Sequence, residues 1–135
     1  MVSKDTIRGV IYMRKMSESE MEIMKVVWKH KNPLTNKEII SLIPNNQWKV
    51  TTVLTLISRL IDKGFLKVEK EGRVSLYRYV VSEDEYRRRC SKSFLDEFYQ
   101  GSFKNFFAAL YSADEISQSD FDELREILDK REDVE

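Results

Sequence analysis

The stretch WKVTTVLTLISRLIDKGFL, residues 48 to 66, decides the fold. Val53, Leu56, Ile57 and Leu60 fall at i, i+3, i+4 and i+7, one apolar stripe along a helix predicted over about 48–63. Gly64 stands where a helix C′ residue belongs. The opposite side carries Thr51, Thr55, Ser58 and Arg59. A solvated helix face ordinarily reads Glu and Lys, so short hydroxyls beside a guanidinium describe a surface that meets a partner. The N-terminus of this helix is the weak point, because Lys49 and Val50 sit where Ser or Asp would cap it; Asn45 or Asn46 would serve instead.

Upstream, two further helices begin with the same grammar. Ser17-x-x-Glu20, flanked by Met16 and Met21, is a capping box with a hydrophobic staple, and Thr35-x-x-Glu38 repeats it with Leu34 and Ile39. The first helix is expected to bury Met21, Met24, Val27 and Trp28 and to break at Asn32-Pro33; the second, to bury Ile39, Ile40 and Ile43 and to stop before Pro44. Downstream, Phe65–Lys70 and Ser75–Val81 alternate around Glu71-Gly72-Arg73-Val74 and predict a β-hairpin.

Three helices and a hairpin make a winged helix-turn-helix, in which the third helix enters the major groove. Hydroxyls suit phosphates and base edges, and a Thr methyl suits the thymine methyl. The candidate DNA contacts are therefore Lys49, Thr51, Thr52, Thr55, Ser58 and Arg59 on the helix, with Lys67, Lys70 and Arg73 on the wing and Arg78 on its return strand. Any one of these, taken singly, is an ordinary surface residue; the set on one basic segment carries the reading. Residues 13–81 hold 13 Lys/Arg against 7 Asp/Glu, whereas 82–135 hold 8 against 15, so a net charge of zero conceals a basic first part and an acidic last part.

From Glu83 onward the pattern is helical and aromatic, with Gly101 separating two segments and a weaker capping box, Ser117-x-x-Asp120, opening a last helix between Ile116 and Phe121. These faces are too wide for helices that have no further strands to cover them, and the expected partner is a second copy of the chain. The dimerisation candidates are Phe94, Phe98, Phe103, Phe106, Phe107, Leu110, Phe121, Leu124 and Leu128. The tail Lys130–Glu135 is expected to fray. The fold class is mainly α with a β-hairpin wing, and the domains are an N-terminal extension over 1–12, a winged-helix domain over 13–82 and a helical dimerisation domain over 83–135.

Other chemistries find little support. No apolar run approaches the ~18 residues of a membrane span and no signal peptide opens the chain, so it reads as cytoplasmic. Cys90 and His30 are single, which leaves no disulfide framework and no metal cluster; the former reads as packed, the latter as a helix C-terminal residue. Four glycines form no phosphate loop, and no nucleophile elbow or HExxH occurs, so neither catalysis nor a cofactor is expected.

Ser17-x-x-Glu20-x-x-Ile23-Met24-x-x-x-Trp28, Leu34-Thr35-x-x-Glu38-Ile39, Trp48-x-x-x-Thr52-Val53-x-Thr55-Leu56-x-x-Arg59-Leu60-x-x-Lys63-Gly64, and Gly72-Arg73 with Tyr77 resemble the BlaI/MecI group of penicillinase repressors. The resemblance covers about residues 13 to 131 and leaves 1–12 outside, with Met13 as an alternative beginning. It implies a homodimeric repressor on a palindromic double-stranded operator near β-lactam resistance genes. It also implies release by a membrane-anchored sensor metalloprotease that cuts an Asn-Phe bond, matched here by Asn105-Phe106. Leu54 stands where the better-known relatives carry Arg, so the operator sequence does not transfer. The tail lacks the cysteines of the family's copper-responsive members. Two readings from other classes stand beside this one: a small-molecule-sensing regulator of the multidrug-response type with a pocket among the aromatic residues, and a winged helix used as a protein-binding adaptor.

Overall fold

The computed structural model describes residues 15–44 and 48–134. Along them run α1 (Glu18–Lys29), α2 (Asn36–Leu42), α3 (Val50–Asp62), β1 (Leu66–Glu71), β2 (Val74–Tyr79), α4 (Glu83–Tyr99), α5 (Phe103–Ser112) and α6 (Gln118–Val134). Residues 1–12, Met13, Asn45 and Asn46 lie outside the described part. The chain divides into two compact units, 1–91 and 92–135.

In the first unit both capping boxes close. The Ser17 and Thr35 hydroxyls accept from the amides of Glu20 and Glu38, whose carboxylates accept from the amides of Ser17 and Thr35. Each box thereby satisfies two backbone amides at its helix start. At α3 the stripe does what its spacing requires: Val53, Leu56, Ile57 and Leu60 are buried against Ile23, Met24 and Val27 of α1 and Ile39 of α2. Met21, Trp28 and Ile40, expected in the core, pack on it only half-buried, and Ile23 and Val26 take the deeper positions.

The third helix begins two residues later than expected, at Val50; its cap is Lys49, which offers no side-chain hydrogen bond. Its C-terminus is strongly defined. Gly64 adopts φ 86, its amide donates to Ile61 O (3.0 Å), and the Phe65 amide donates to Leu60 O (2.9 Å). That is a Schellman motif, with Leu60 and Phe65, both fully buried, as its apolar contact.

The hairpin is shifted from its expected bounds. Leu66 pairs with Tyr79 and Glu71 with Val74, leaving Gly72-Arg73 as a two-residue turn. Gly72 is at φ 66 while Arg73 is not left-handed, as a type II′ turn demands. Leu34 exchanges two backbone hydrogen bonds with Tyr77 (3.1 and 2.8 Å), so the connection between α1 and α2 covers the outer edge of β2. The core also extends past the expected boundary at 82/83, because Tyr86 on α4 is buried beside Phe65 and Trp28, and its hydroxyl accepts from the Met16 amide (3.1 Å). Burial pushes that hydroxyl up to about 12, so it stays protonated. Cys90 packs on the same core, half-buried.

One ion pair joins the start of α1 to the end of α3. Lys63 Nζ donates to Glu20 Oε1 at 2.6 Å and to the Lys15 carbonyl at 3.1 Å; Glu20 is 1% exposed and Lys63 19%. Burial raises the Glu20 carboxyl, but the Lys63 hydrogen bond, followed by the Ser17 amide, outweighs it and holds the carboxyl below its ordinary 4.5. Glu20 Oε2 is buried without a partner. In the second unit Ser117 and Asp120 form the third reciprocal cap, and α6 continues to Val134 where fraying was expected.

A carboxyl whose folded value is depressed stabilises fully above its unfolded value and loses that contribution as pH falls through the folded one. Unfolding free energy should therefore decline below pH 4.5. Glu20→Gln keeps the cap but not the charge, and should cost roughly 3 kcal/mol at pH 7, near the low end for breaking a buried pair because Lys63 can turn to water. Denaturant titrations across pH should show a shallower acid decline for this variant; equal stability at pH 7 would show that the pair contributes nothing.

Candidate nucleic-acid interface

Burying one stripe of α3 fixes what the other side presents. Lys49, Thr51, Thr52, Thr55, Ser58 and Arg59 are all exposed. The Thr55 hydroxyl donates to Thr51 O (2.9 Å), which leaves its oxygen free to accept. Arg59 and Lys49 make no ion pair with any described residue, so their charge is uncommitted. Two apolar residues share this exposed side, Val50 and Leu54, the latter 37% exposed. A Leu held in water within a polar face is a ready contact for a methyl group.

The wing is less uniformly basic than its sequence suggests. Lys67 and Arg78 are direct cross-strand partners, and Glu69 reaches both, at 3.3 and 3.2 Å. Lys67 first, then Arg78, holds the Glu69 carboxyl below its ordinary value. Lys67 is thus partly neutralised, whereas Arg73 in the turn and Lys70 near the end of β1 carry exposed charges with no ion pair among the described residues. The alternation of β1 signals that Glu69 shares a face with Lys67, but Arg78 joins them only once the hairpin register is known.

The second unit holds the other candidates. Among the described residues from 92 on, no apolar side chain is buried. Phe94, Phe98, Phe103, Leu124 and Leu128 are exposed, Phe98 and Phe103 by 58% and 57%, while Phe106, Phe107, Leu110 and Phe121 are half-buried. Phe106 stacks edge-on against Phe94 (5.7 Å) and Tyr99 (5.4 Å), and Phe107 against Phe121 (5.6 Å). Asn105 is exposed in the first turn of α5, where its amide is held by the Ser102 hydroxyl (3.1 Å) and the Phe106 amide by Ser102 O (3.2 Å). Just before it, Gln100 and Gly101 both have positive φ, 50 and 79. A bond in a first turn needs fewer helix hydrogen bonds broken than one in mid-helix.

A helical trio with a hairpin, its outer edge bridged by Leu34 and its third helix turning hydroxyls and Arg59 outward, defines a winged helix-turn-helix protein. The chain belongs to the penicillinase repressor family, whose model matches residues 16–130. The penicillinase repressor of Bacillus licheniformis is 37% identical over 115 residues, 85% of this chain and 90% of that protein. The methicillin resistance regulatory protein MecI of Staphylococcus aureus strain N315 is 31% identical over 116 residues, 86% and 94% respectively. A solution structure of monomeric Bacillus licheniformis BlaI with the blaP half-operator is 39% identical, covers 55% of this chain and 90% of that one, and has a TM-score of 0.47. No helix of the described residues is long and apolar enough to cross a membrane.

The two sides of α3 should separate cleanly in stability. Ala at Thr52, Ser58 or Arg59 should shift unfolding by less than about 0.5 kcal/mol. Leu56→Ala or Leu60→Ala should cost about 2–5 kcal/mol. Thermal or denaturant unfolding distinguishes them, and a large loss at Thr52 would mean that this side is packed rather than presented.

Proposed function

We propose that the chain is a homodimeric, DNA-binding transcriptional repressor that works in the cytoplasm by occupying a palindromic operator rather than by catalysis. The observation that carries the reading is the exposed face of α3, with Thr51, Thr52, Thr55, Ser58 and Arg59 set over a fully buried stripe. These side chains, with Lys49, read and grip one half-site; Arg73 and Lys70 of the wing hold phosphate, and Lys67 joins them when Glu69 lets go. The family membership, and relatives named as penicillinase and methicillin resistance regulators, support control of β-lactam resistance genes.

The dimer forms through the second unit, whose exposed Phe94, Phe98, Phe103, Leu124 and Leu128 need a cover that the described residues do not supply. The groove between α5 and α6, about 390 Å³ and lined by Phe103, Phe107, Phe121, Leu124 and Leu128, is of a size that also suits a small ligand. Its one polar lining residue is Arg125, which lies over the Phe121 ring (5.4 Å). With no further polar group to orient a ligand, side chains of a second copy fit it better than an effector does. Repression ends when a membrane-anchored sensor metalloprotease cuts Asn105-Phe106, removing Phe107, Leu110 and all of α6; at roughly 25 cal/mol per Å² of apolar area, this removes most of the association energy.

Operator affinity, measured by gel shift or anisotropy, should fall with salt by about 0.9 log units per log unit for each phosphate contacted. Arg73→Ala should weaken specific and random duplexes alike, whereas Thr52→Val should weaken the cognate operator more. A flat salt response would sink the DNA reading, and a change of base preference in Arg73→Ala would move the wing from phosphate to bases.

For the release step, cells carrying the cognate sensor and exposed to a β-lactam should accumulate a fragment ending at Asn105, visible by mass spectrometry. Asn105→Asp and Phe106→Ala should stay intact and keep repressing. Full induction with an intact chain would exclude cleavage as the switch.

A further inference from the structure

A polar recess lies in the first unit, between the end of α1 and the base of the wing. It encloses about 180 Å³ and is lined by His30, Lys31, Asn32, Lys67, Tyr77 and Arg78. That is below the ~300–1,000 Å³ of sites that bury organic ligands, yet it exceeds the ~30 Å³ share of one water several-fold. The space suits a single polyatomic ion.

Its charge selects the sign. Lys31, Lys67 and Arg78 are basic side chains, and no carboxylate lines the recess. Lys67 and Arg78 are held directly opposite one another by the hairpin register, an arrangement of like charges that costs energy unless something negative lies between them. Glu69 supplies one negative charge to the two, from an exposed position outside the recess. Lys31 is exposed and has no ion pair among the described residues. The carbonyl end of α1 opposes an anion by roughly half a charge, less than the two positive charges left over. Asn32 and Tyr77 line the same space and bring polar groups for the remaining oxygens of an oxyanion.

We infer that this recess binds a phosphate group, held by Lys31, Lys67 and Arg78 and opposed by Glu69. Arg78 offers a planar fork for two phosphate oxygens, while Lys31 and Lys67 act as point charges. The group can come from free phosphate or from the backbone of bound DNA, and only the second source rests on the function proposed above.

Inorganic phosphate titrated into the full chain at constant ionic strength, against chloride, should give saturable amide shifts in ¹H–¹⁵N spectra at His30–Asn32 and Lys67, Arg78. Lys31→Ala and Arg78→Ala should weaken this binding at least about fivefold, and Glu69→Gln, by removing the competing carboxylate, should strengthen it severalfold. The DNA arm compares salt slopes: loss of about 0.9 from the slope in Lys31→Ala assigns the site to a backbone phosphate. An unchanged slope with phosphate shifts abolished assigns it to free phosphate. Shifts that ignore all three variants, or no saturable shift together with an unchanged slope, would overturn the site, and either result leaves DNA binding by α3 untouched.

Discussion

The apolar stripe of α3 is the constraint from which the rest of the first unit follows. Val53, Leu56, Ile57 and Leu60 can be hidden only if α1 and α2 pack on that side, and the hairpin must then leave from the Gly64 turn, where Phe65 folds back onto Leu60. Once that side is dry, the helix has one orientation available. Its hydroxyls and Arg59 face outward because nothing apolar remains to cover them. The proposed reading surface is the complement of the core, and both are written on the same thirteen residues.

Two electrostatic links keep this arrangement in register. Glu20 caps its own helix and also holds Lys63, so the first turn of α1 anchors the residue that caps the end of α3. A shift of one helix along the other would leave the Glu20 carboxylate buried and unpaired, which is far costlier than a lost surface pair. On the wing, Glu69 plays the opposite part. It is exposed, and it tempers two cations that would otherwise repel across the hairpin.

The second unit has the reverse economy of burial. Its rings find one another, as Phe94, Tyr99 and Phe106 do, yet none becomes fully buried within the described residues. A helix pair of this kind is marginal alone. In the proposed dimer the same surface would be core, and a cut in the first turn of α5 would disconnect the chain from most of it.

The stripe, the three capping boxes, the Gly64 stop, the hairpin and the outward set on α3 were all legible in the sequence, because each depends on neighbours within four residues or on a period of two or 3.6. So was the family kinship, read over about residues 13 to 131 and matched by the family model over 16–130. Boundaries were less legible: the expected four-residue turn closed to two because Gly72 could take the first place of a tight turn, the second strand ended two residues early, and the last helix continued to Val134. What only the tertiary structure decided are the meetings of distant residues. Tyr86 joins the first core across 70 residues from Met16, Lys63 crosses 43 to reach Glu20, Leu34 closes the edge of β2, and Lys31 comes beside Lys67 and Arg78. No local period encodes such pairs; they exist because burying the stripe brings together chain ends that have no rule connecting them in sequence.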